Sequence, residues 1–157
     1  MEPVISQEPL KTTGQERRIT FRLLSYWNRI RADREMPSLG DVNVDEITEI
    51  WHFSFVIDIS KGLDEARFHY FGPELVNIFE ANHTDELLRH AMEQDTKLEN
   101  TLGFYPKVVE RRAPVSESSE FFLENKEVRY RSLIVPFSGD GKTIDYLMGT
   151  TNYKIFD

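Results

Sequence analysis

The histidines of this chain are the residues that metal or acid–base chemistry would need, but their spacing argues against a designed site. The chain has four of them, and no two are four residues apart, as two ligands on one face of a helical zinc site would be: His52, His69, His83 and His90. His83 with Asp85, or His90 with Glu86, could hold a divalent metal adventitiously, but we expect these side chains to lie in solvent. We therefore predict no metal site.

The carboxylates and glycines likewise give no signature of an enzyme. The acidic pairs Asp45–Glu46 and Asp64–Glu65 fall in turns or at helix starts, where solvent and the helix dipole account for them. The sequence contains no nucleophile elbow, P-loop or dinucleotide-binding fingerprint, and the glycines of residues 138–142 suit a hairpin turn. We predict that the chain is not an enzyme.

Two arginines and five aromatic residues are the candidates for a ligand pocket. Arg129 and Arg131 alternate along one strand with apolar residues, so an arginine on a face covered by helices could bind a carboxylate or phosphate. The alternative, which we favour, pairs them with Glu117 or Glu120 on the neighbouring strand. The aromatic side chains could line a cavity, or could simply fill the core: Phe55, Phe68, Tyr70, Phe79 and Tyr130.

Composition narrows the class of protein. The chain has 157 residues, which suits one domain with a substantial core, and its net charge of -8 argues against a nucleic-acid partner. It has no cysteine, which excludes disulfides, thiolate catalysis, cysteine-ligated metals and a photochemical cysteine adduct with flavin. It also lacks a long apolar run, so we predict a cytoplasmic protein with no membrane partner.

The first predicted element is an amphipathic helix after a flexible leader at residues 1–12. Residues 13–16 have the spacing of a capping box, and apolar residues then recur at helical intervals at Ile19, Leu23, Tyr26, Trp27 and Ile30. Phe21 and Leu24 lie off this stripe, so the apolar arc is wide enough to meet both a sheet and a partner chain. The alternative is a single packed face. The candidates for a dimer interface are Phe21, Leu24, Tyr26 and Trp27.

Residues 53–82 predict a strand, a turn, a second strand and a short helix. Apolar residues alternate in FSFVIDI, so one face of this strand should be buried, and RFHYF resumes the pattern after a polar turn. Gly72-Pro73 ends the second strand and begins a helix that we expect to reach about Ala81, closed by Asn82. Trp51, before the first strand, is predicted to be core.

The remainder predicts short helices followed by three strands. A short capped helix is expected at residues 84–88, and a longer one at residues 93–112 with a kink or a restart near Tyr105. Two alternating runs and a final strand follow, separated by turns at residues 124–126 and 138–142. The whole is an α+β domain over residues 13–157, a five-stranded antiparallel sheet flanked by helices with an extra N-terminal amphipathic helix.

This order and four short motifs resemble a PAS domain, and in particular the bacterial subfamily of stand-alone, short PAS proteins. The resemblance covers residues 19–153 and is carried by Tyr26-Trp27, Met36-Pro37-Ser38, Phe68 to Gly72 and Leu147-Met148-Gly149. The chain departs from that pattern at Glu80-Ala81-Asn82, where a second glycine often stands, and at Met148, which separates the leucine from the glycine.

The resemblance implies a sensory or protein-interaction domain that can hold a small ligand between sheet and helices and dimerise through its leading helix. We therefore predict a non-enzymatic PAS signalling module, a homodimer that acts through an unidentified protein partner and has room for an optional small-molecule ligand. The alternatives are an obligate receptor for an anionic or aromatic molecule and an enzyme with an unrecognised site. No cofactor is predicted, since heme would depend on His90 alone and flavin has no support in the residues.

Overall fold

The structure, a computed structural model, describes residues 14–156, so the predicted leader at residues 1–12 and the cap residue Thr13 lie outside the described residues. The helices are α1 (Gly14–Arg31), α2 (Thr48–His52), α3 (Pro73–Phe79), α4 (Leu88–Gln94), α5 (Thr96–Leu102) and α6 (Tyr105–Arg111). The strands are β1 (Ser54–Asp58), β2 (Arg67–Phe71), β3 (Val115–Leu123), β4 (Lys126–Phe137) and β5 (Tyr146–Phe156). Within residues 14–156 no helix is long and apolar enough to cross a membrane.

The five strands form one antiparallel sheet in the order β2-β1-β5-β4-β3. Consecutive strands pair locally as β1 with β2, β3 with β4, and β4 with β5, whereas β1 reaches across the chain to pair with β5. The helices α3 to α6 lie between β2 and β3 in the chain. The predicted fold class is therefore confirmed.

Both faces of the sheet are buried, which corrects the prediction of one buried face for the first strand. In β1 the consecutive residues Ser54, Phe55, Val56 and Ile57 are all buried. Successive side chains of a strand point to opposite faces, so each face must be covered. The helices α5 and α6 pack against β4 on one face, and α1 contacts β4 and β5 on the other.

The N-terminal helix α1 is anchored by its aromatic pair. The indole Nε1 of Trp27 donates to the backbone carbonyl of Pro136 at 2.8 Å, and the hydroxyl of Tyr26 accepts from the backbone N–H of Asn43 at 2.8 Å. The side chains of Tyr26 and Trp27 are therefore buried within their own chain, which leaves little of either for contact with a partner chain. Phe21 is 58% exposed and Leu24 is half-buried, so only these two of the four remain accessible.

Two helix boundaries differ from the prediction for local reasons. The helix α3 ends at Phe79, because Glu80 already adopts the left-handed conformation at φ 59° that was expected at Asn82. The predicted helix at residues 84–88 is wrong. The side-chain oxygen of Asn82 accepts from the backbone N–H of Thr84 at 3.0 Å, and Asp85 has φ 72°, so the chain turns there and α4 begins only at Leu88.

The predicted restart of the long helical region is confirmed. The helix α5 ends at Leu102, and α6 begins at Tyr105 with Pro106 in its first turn, where the missing N–H of proline leaves no hydrogen bond unmade. Trp51 is half-buried and packs against the core, stacked on Tyr70 with 4.1 Å between ring centroids.

Candidate ligand-binding cleft

The space between the sheet and the helices is filled by side chains near the centre of the domain. Phe55 and Phe68 are fully buried and meet edge to face with 6.2 Å between ring centroids. Leu98 and Leu102 of α5 are also fully buried. Phe55 and Phe68 therefore fill the core, which was the alternative to a cavity lining, and Phe79 is 4% exposed at the edge of this packing.

A cleft of about 210 Å³ lies beside this core, where the ends of β3, β4 and β5 approach α3 and α5. Its lining combines apolar and polar side chains drawn from both layers of the domain: Ile78 and Phe79 of α3, Lys97 and Thr101 of α5, and Val128, Thr151 and Ile155 of the sheet. Of the predicted pocket residues, only Phe79 lines this cleft. A molecule in it would touch the helical layer and the sheet together.

The helix α5 presents Lys97 and Thr101 to the cleft because they lie one turn apart on one side of the helix. Leu98 and Leu102 are one residue further along and are buried in the core. The side chain of Asp95 accepts from the backbone N–H of Lys97 at 3.0 Å and so fixes where α5 begins. The hydroxyl of Thr101 donates to the carbonyl of Lys97 at 2.7 Å, so it is already satisfied within the helix.

The cleft is chiefly apolar with one cation at its edge. Lys97 is half-buried, and within residues 14–156 no carboxylate oxygen lies within 4 Å of its Nζ in an ion pair. Glu80, which also lines the cleft, is exposed. On the sheet side, the hydroxyls of Thr151 and Ser132 are 2.8 Å apart and satisfy each other. The cationic group of the cleft is therefore the ammonium group of Lys97, and Glu80 is the acidic residue of its lining.

The two arginines predicted for the pocket lie on the opposite face of the sheet. Tyr130 reaches α5, where its hydroxyl donates to the carbonyl of Asn100, so its neighbours in β4 must point away from α5. Arg131 is 1% exposed, and its Nε lies 3.4 Å from the hydroxyl of Ser118. Neither arginine lines the cleft, because the alternation of the strand places both on the side that α1 covers.

Arg129 is paired with Glu127 on its own strand and lies opposite Glu120, one of the partners that we favoured from the sequence. Its Nε lies 3.1 Å from Glu127, two residues earlier on the same strand, and its guanidinium carbon lies 4.4 Å from the ring centroid of Phe156. This hydrogen bond to Glu127 raises the pKa of Arg129. Glu117, one of the predicted partners, instead binds Lys107 at 2.5 Å.

The two tyrosines serve the packing. Burial, reinforced by the nearby charge of Glu117, raises the pKa of Tyr130, so it stays a neutral donor to α5. Tyr70 donates to the backbone carbonyl of Trp51 at 3.0 Å and stacks on that indole, and burial raises its pKa also. Both hydroxyls are engaged within the chain and outside the cleft.

This architecture matches solved structures of PAS and LOV domains. The LOV protein of Rhodobacter sphaeroides is 14% identical over 71% of this chain and 68% of its own, with a TM-score of 0.47. The PAS domain of BvgS from Bordetella pertussis is 12% identical over 73% of this chain and 88% of its own, with a TM-score of 0.45. The light-state dimer of the fungal blue-light photoreceptor Vivid is 15% identical over 92% of this chain and 99% of its own, with a TM-score of 0.48.

The fold is that of a PAS domain. At these identities the likeness concerns the backbone alone, and the sheet order with its helical connection between β2 and β3 is what the chain shares with such domains. No protein-family model and no curated protein matches the sequence.

One histidine departs from the expectation of a solvated side chain. His83 is buried, with its ring 6.0 Å from that of Phe68 and 5.1 Å from that of Phe71, whereas His90 is exposed. Within the described residues, no group of three histidine, aspartate or glutamate side chains comes together as a metal site would require.

The position of Lys97 and Thr101 in the lining of the cleft was not predicted from the sequence. They form the polar side of an amphipathic helix whose apolar side is Leu98 and Leu102. A polar residue at a cleft and one in open solvent have the same spacing, so only the packing of α5 on the sheet separates the two cases. One weak signal for a polar site is present in the sequence, namely a lysine followed by a threonine one helical turn later.

Proposed function

We propose that this PAS domain is a non-enzymatic sensory module that binds a small amphipathic anion in the cleft and signals through a protein partner. The observation that supports the proposal most directly is that the cleft is lined by α3 and α5 on one side and by strand ends on the other. A ligand that touches both layers favours the arrangement in which both contacts are made, which is how binding shifts a conformational equilibrium.

The lining defines the class of ligand. Its apolar side chains suit a hydrocarbon or aromatic body, and the ammonium group of Lys97 suits a carboxylate or a similar anion. The volume of about 210 Å³ lies below the range of roughly 300–1,000 Å³ that drug-sized ligands fill, so the ligand should be small. Lys97 thus takes the role that the sequence suggested for Arg129 and Arg131.

The packed core favours an optional ligand over an obligate one. Phe55, Phe68, Leu98 and Leu102 are fully buried by protein atoms alone, so the fold has its core without a bound molecule. We also favour a non-enzymatic role, because the two threonine hydroxyls of the cleft are already engaged in hydrogen bonds. Thr101 donates to a backbone carbonyl, and Thr151 bonds to Ser132.

Replacement of Lys97 should weaken the binding of carboxylates selectively. We expect medium-chain carboxylates to shift the amide NMR signals of residues lining the cleft, and Lys97→Met to lower their affinity about tenfold, the effect of one hydrogen bond to a charged group. The matched alcohols, which lack the charge, should bind the wild type and Lys97→Met equally. The measurement is an NMR titration of each ligand series against both proteins.

Lys142→Met is the matched control for this experiment, because Lys142 is an exposed lysine in the turn between β4 and β5. It should leave carboxylate affinity unchanged. Equal weakening by both substitutions would mean that general charge attraction, and not the cleft, governs binding. Saturating shifts confined to residues away from α3, α5 and the ends of β3 to β5 would contradict the cleft as the site.

The homodimer is proposed to form through the outer side of α1. Phe21 and Leu24 are three residues apart and therefore adjacent on the helix surface, and Phe21 leaves 58% of its surface exposed. A large aromatic residue exposed to this extent on a helix is an efficient anchor for an interface. A cytoplasmic location stays a prediction from the composition, and a bacterial source and a signalling partner stay predictions from the resemblance.

Phe21→Glu is expected to weaken self-association by about 10- to 100-fold, because it removes the burial of an aromatic side chain and places a charge in the contact. Light scattering over a dilution series measures the dissociation constant. Leu63→Glu is the control, since Leu63 is another exposed apolar residue, in the turn between β1 and β2. An unchanged dissociation constant for Phe21→Glu, with the fold intact, would show that α1 is not the contact.

A further inference from the structure

His83 is a buried imidazole that lies between two carboxylates. Its side chain is 9% exposed, with Nδ1 lying 2.5 Å from Oε2 of Glu86 and Nε2 lying 3.8 Å from Oδ2 of Asp95. The Nε2 atom is buried and has no hydrogen-bond partner in the described part of the chain. One ring nitrogen is therefore engaged, while the other faces a carboxylate from just outside hydrogen-bonding distance.

Among the described residues, the charged groups recorded within 4 Å of this imidazole are two carboxylates. From β2, the neighbours of His83 are the uncharged rings of Phe68 and Phe71. The segment before α4 contributes the carboxylate of Glu86, and the start of α5 contributes that of Asp95. Among residues 14–156, His83 is the one cationic partner found within 4 Å of either carboxylate.

A neutral imidazole cannot satisfy both of its neighbours. In one tautomer Nδ1–H donates to Glu86, and the lone pair of Nε2 then faces Asp95. In the other tautomer the lone pair of Nδ1 faces Glu86. The imidazolium form has two N–H donors and suits both carboxylates together, as charge-assisted hydrogen bonds.

We propose that His83 is a proton-binding site that links Glu86 to Asp95 and thereby couples pH to the position of α5. Closing the gap of 3.8 Å to a charge-assisted hydrogen bond of about 2.8 Å draws Asp95 toward the imidazolium. Asp95 also caps α5 by accepting from the backbone N–H of Lys97 at 3.0 Å. Movement of this cap therefore moves the helix that brings Lys97 and Thr101 to the cleft.

The bridge from Glu86 through His83 to Asp95 does not depend on the proposed ligand, because it needs only the geometry of the cap. The sign of the pH effect follows from the charge of the ring. The two hydrogen bonds exist in the protonated state, so their stabilisation is present at low pH and is lost as the pH rises and the proton leaves. A loaded cleft is not required for either the bridge or its effect on α5.

The test is an NMR titration between about pH 8 and about pH 5.5, where histidine changes charge and aspartate and glutamate stay ionised. Ring signals report the charge of His83, and backbone amides report α5. In the wild type we expect ring protonation and the shifts of the α5 amide signals to follow one titration curve. Lowering the pH should raise the melting temperature of the wild type by about 2–4 °C more than it raises that of Asp95→Asn. Asp95→Asn keeps an efficient capping side chain but removes the charge.

Two further variants separate the bridge from general effects. Glu86→Gln should also reduce the rise in melting temperature that accompanies the fall in pH. Glu93→Gln, which neutralises an exposed carboxylate on α4, should leave that rise unchanged. A ring that stays neutral to about pH 5.5 would overturn the proposal. So would a protonated ring with motionless α5 amides, or an Asp95→Asn protein with the wild-type pH response.

Discussion

Replacing Trp27 with alanine should lower the free energy of unfolding by about 3–5 kcal/mol, the effect expected for deleting a large buried aromatic side chain. The indole is 4% exposed and lies between α1 and the sheet. Its Nε1 also donates to the carbonyl of Pro136 in β4, so the substitution removes apolar contacts and a buried hydrogen bond together. Urea denaturation followed by circular dichroism measures the change.

Trp27→Phe separates the two contributions. Phenylalanine keeps much of the apolar volume but has no N–H, so the carbonyl of Pro136 loses its donor, and we expect a loss of about 1–3 kcal/mol. Phe21→Ala is the matched control, because Phe21 is an aromatic residue of the same helix that is 58% exposed, and its removal should change stability by about 0.5 kcal/mol at most in the monomer. Equal losses for Trp27→Ala and Phe21→Ala would contradict the anchoring role of the indole.

The second large effect is expected at Gly149, where β5 passes closest to the core. A Cβ atom there would lie 2.4 Å from Cζ of Phe55 and 2.8 Å from the backbone oxygen of Leu133. Phe55 is fully buried against Phe68 and has no space to retreat, and the oxygen belongs to the neighbouring strand. Gly149→Ala should therefore destabilise the domain by about 1–3 kcal/mol through overpacking.

Gly40→Ala is the control for Gly149→Ala, because a Cβ at Gly40 would meet its nearest atom, the hydroxyl oxygen of Ser38, at an ordinary 3.7 Å. Its effect should be near zero. Phe55→Leu in the Gly149→Ala background should recover part of the loss, since the smaller side chain withdraws from the new methyl group. Thermal and urea unfolding of the single and double variants measure this coupling, and strictly additive losses would contradict the close contact as the cause.

The strands were predictable from the sequence because apolar alternation and turn residues are local signals. The resemblance to PAS domains added the flanking helices, and the structure confirms that architecture. The helix predicted at residues 84–88 failed because the backbone of this segment pairs with β2 instead. The N–H of Asp85 donates to the carbonyl of Phe68, and the carbonyl of Glu86 accepts from the N–H of Phe68. Pairing with a segment distant in the sequence leaves no trace in the local pattern.

The site was harder to predict than the fold because alternation shows which residues share a face, but not what covers it. The prediction that Arg129 and Arg131 point the same way agrees with the strand, yet their face meets α1 and the cleft lies on the other side. Likewise, the helical spacing of α1 predicted that Tyr26 and Trp27 lie on its apolar side. Only their hydrogen bonds to Asn43 and Pro136 show that this side packs within the same chain.

The pairing of β1 with β5 has a consequence for how the domain folds. The hairpin β1–β2 and the three-stranded unit β3–β4–β5 each pair strands that follow one another in the chain. The two units join only when residues 54–58 pair with residues 146–150. Closing so long a loop loses chain entropy before any contact across it forms, and domains of this topology fold more slowly than helical bundles of similar size. We therefore expect the encounter of these two distant segments to limit the rate of folding.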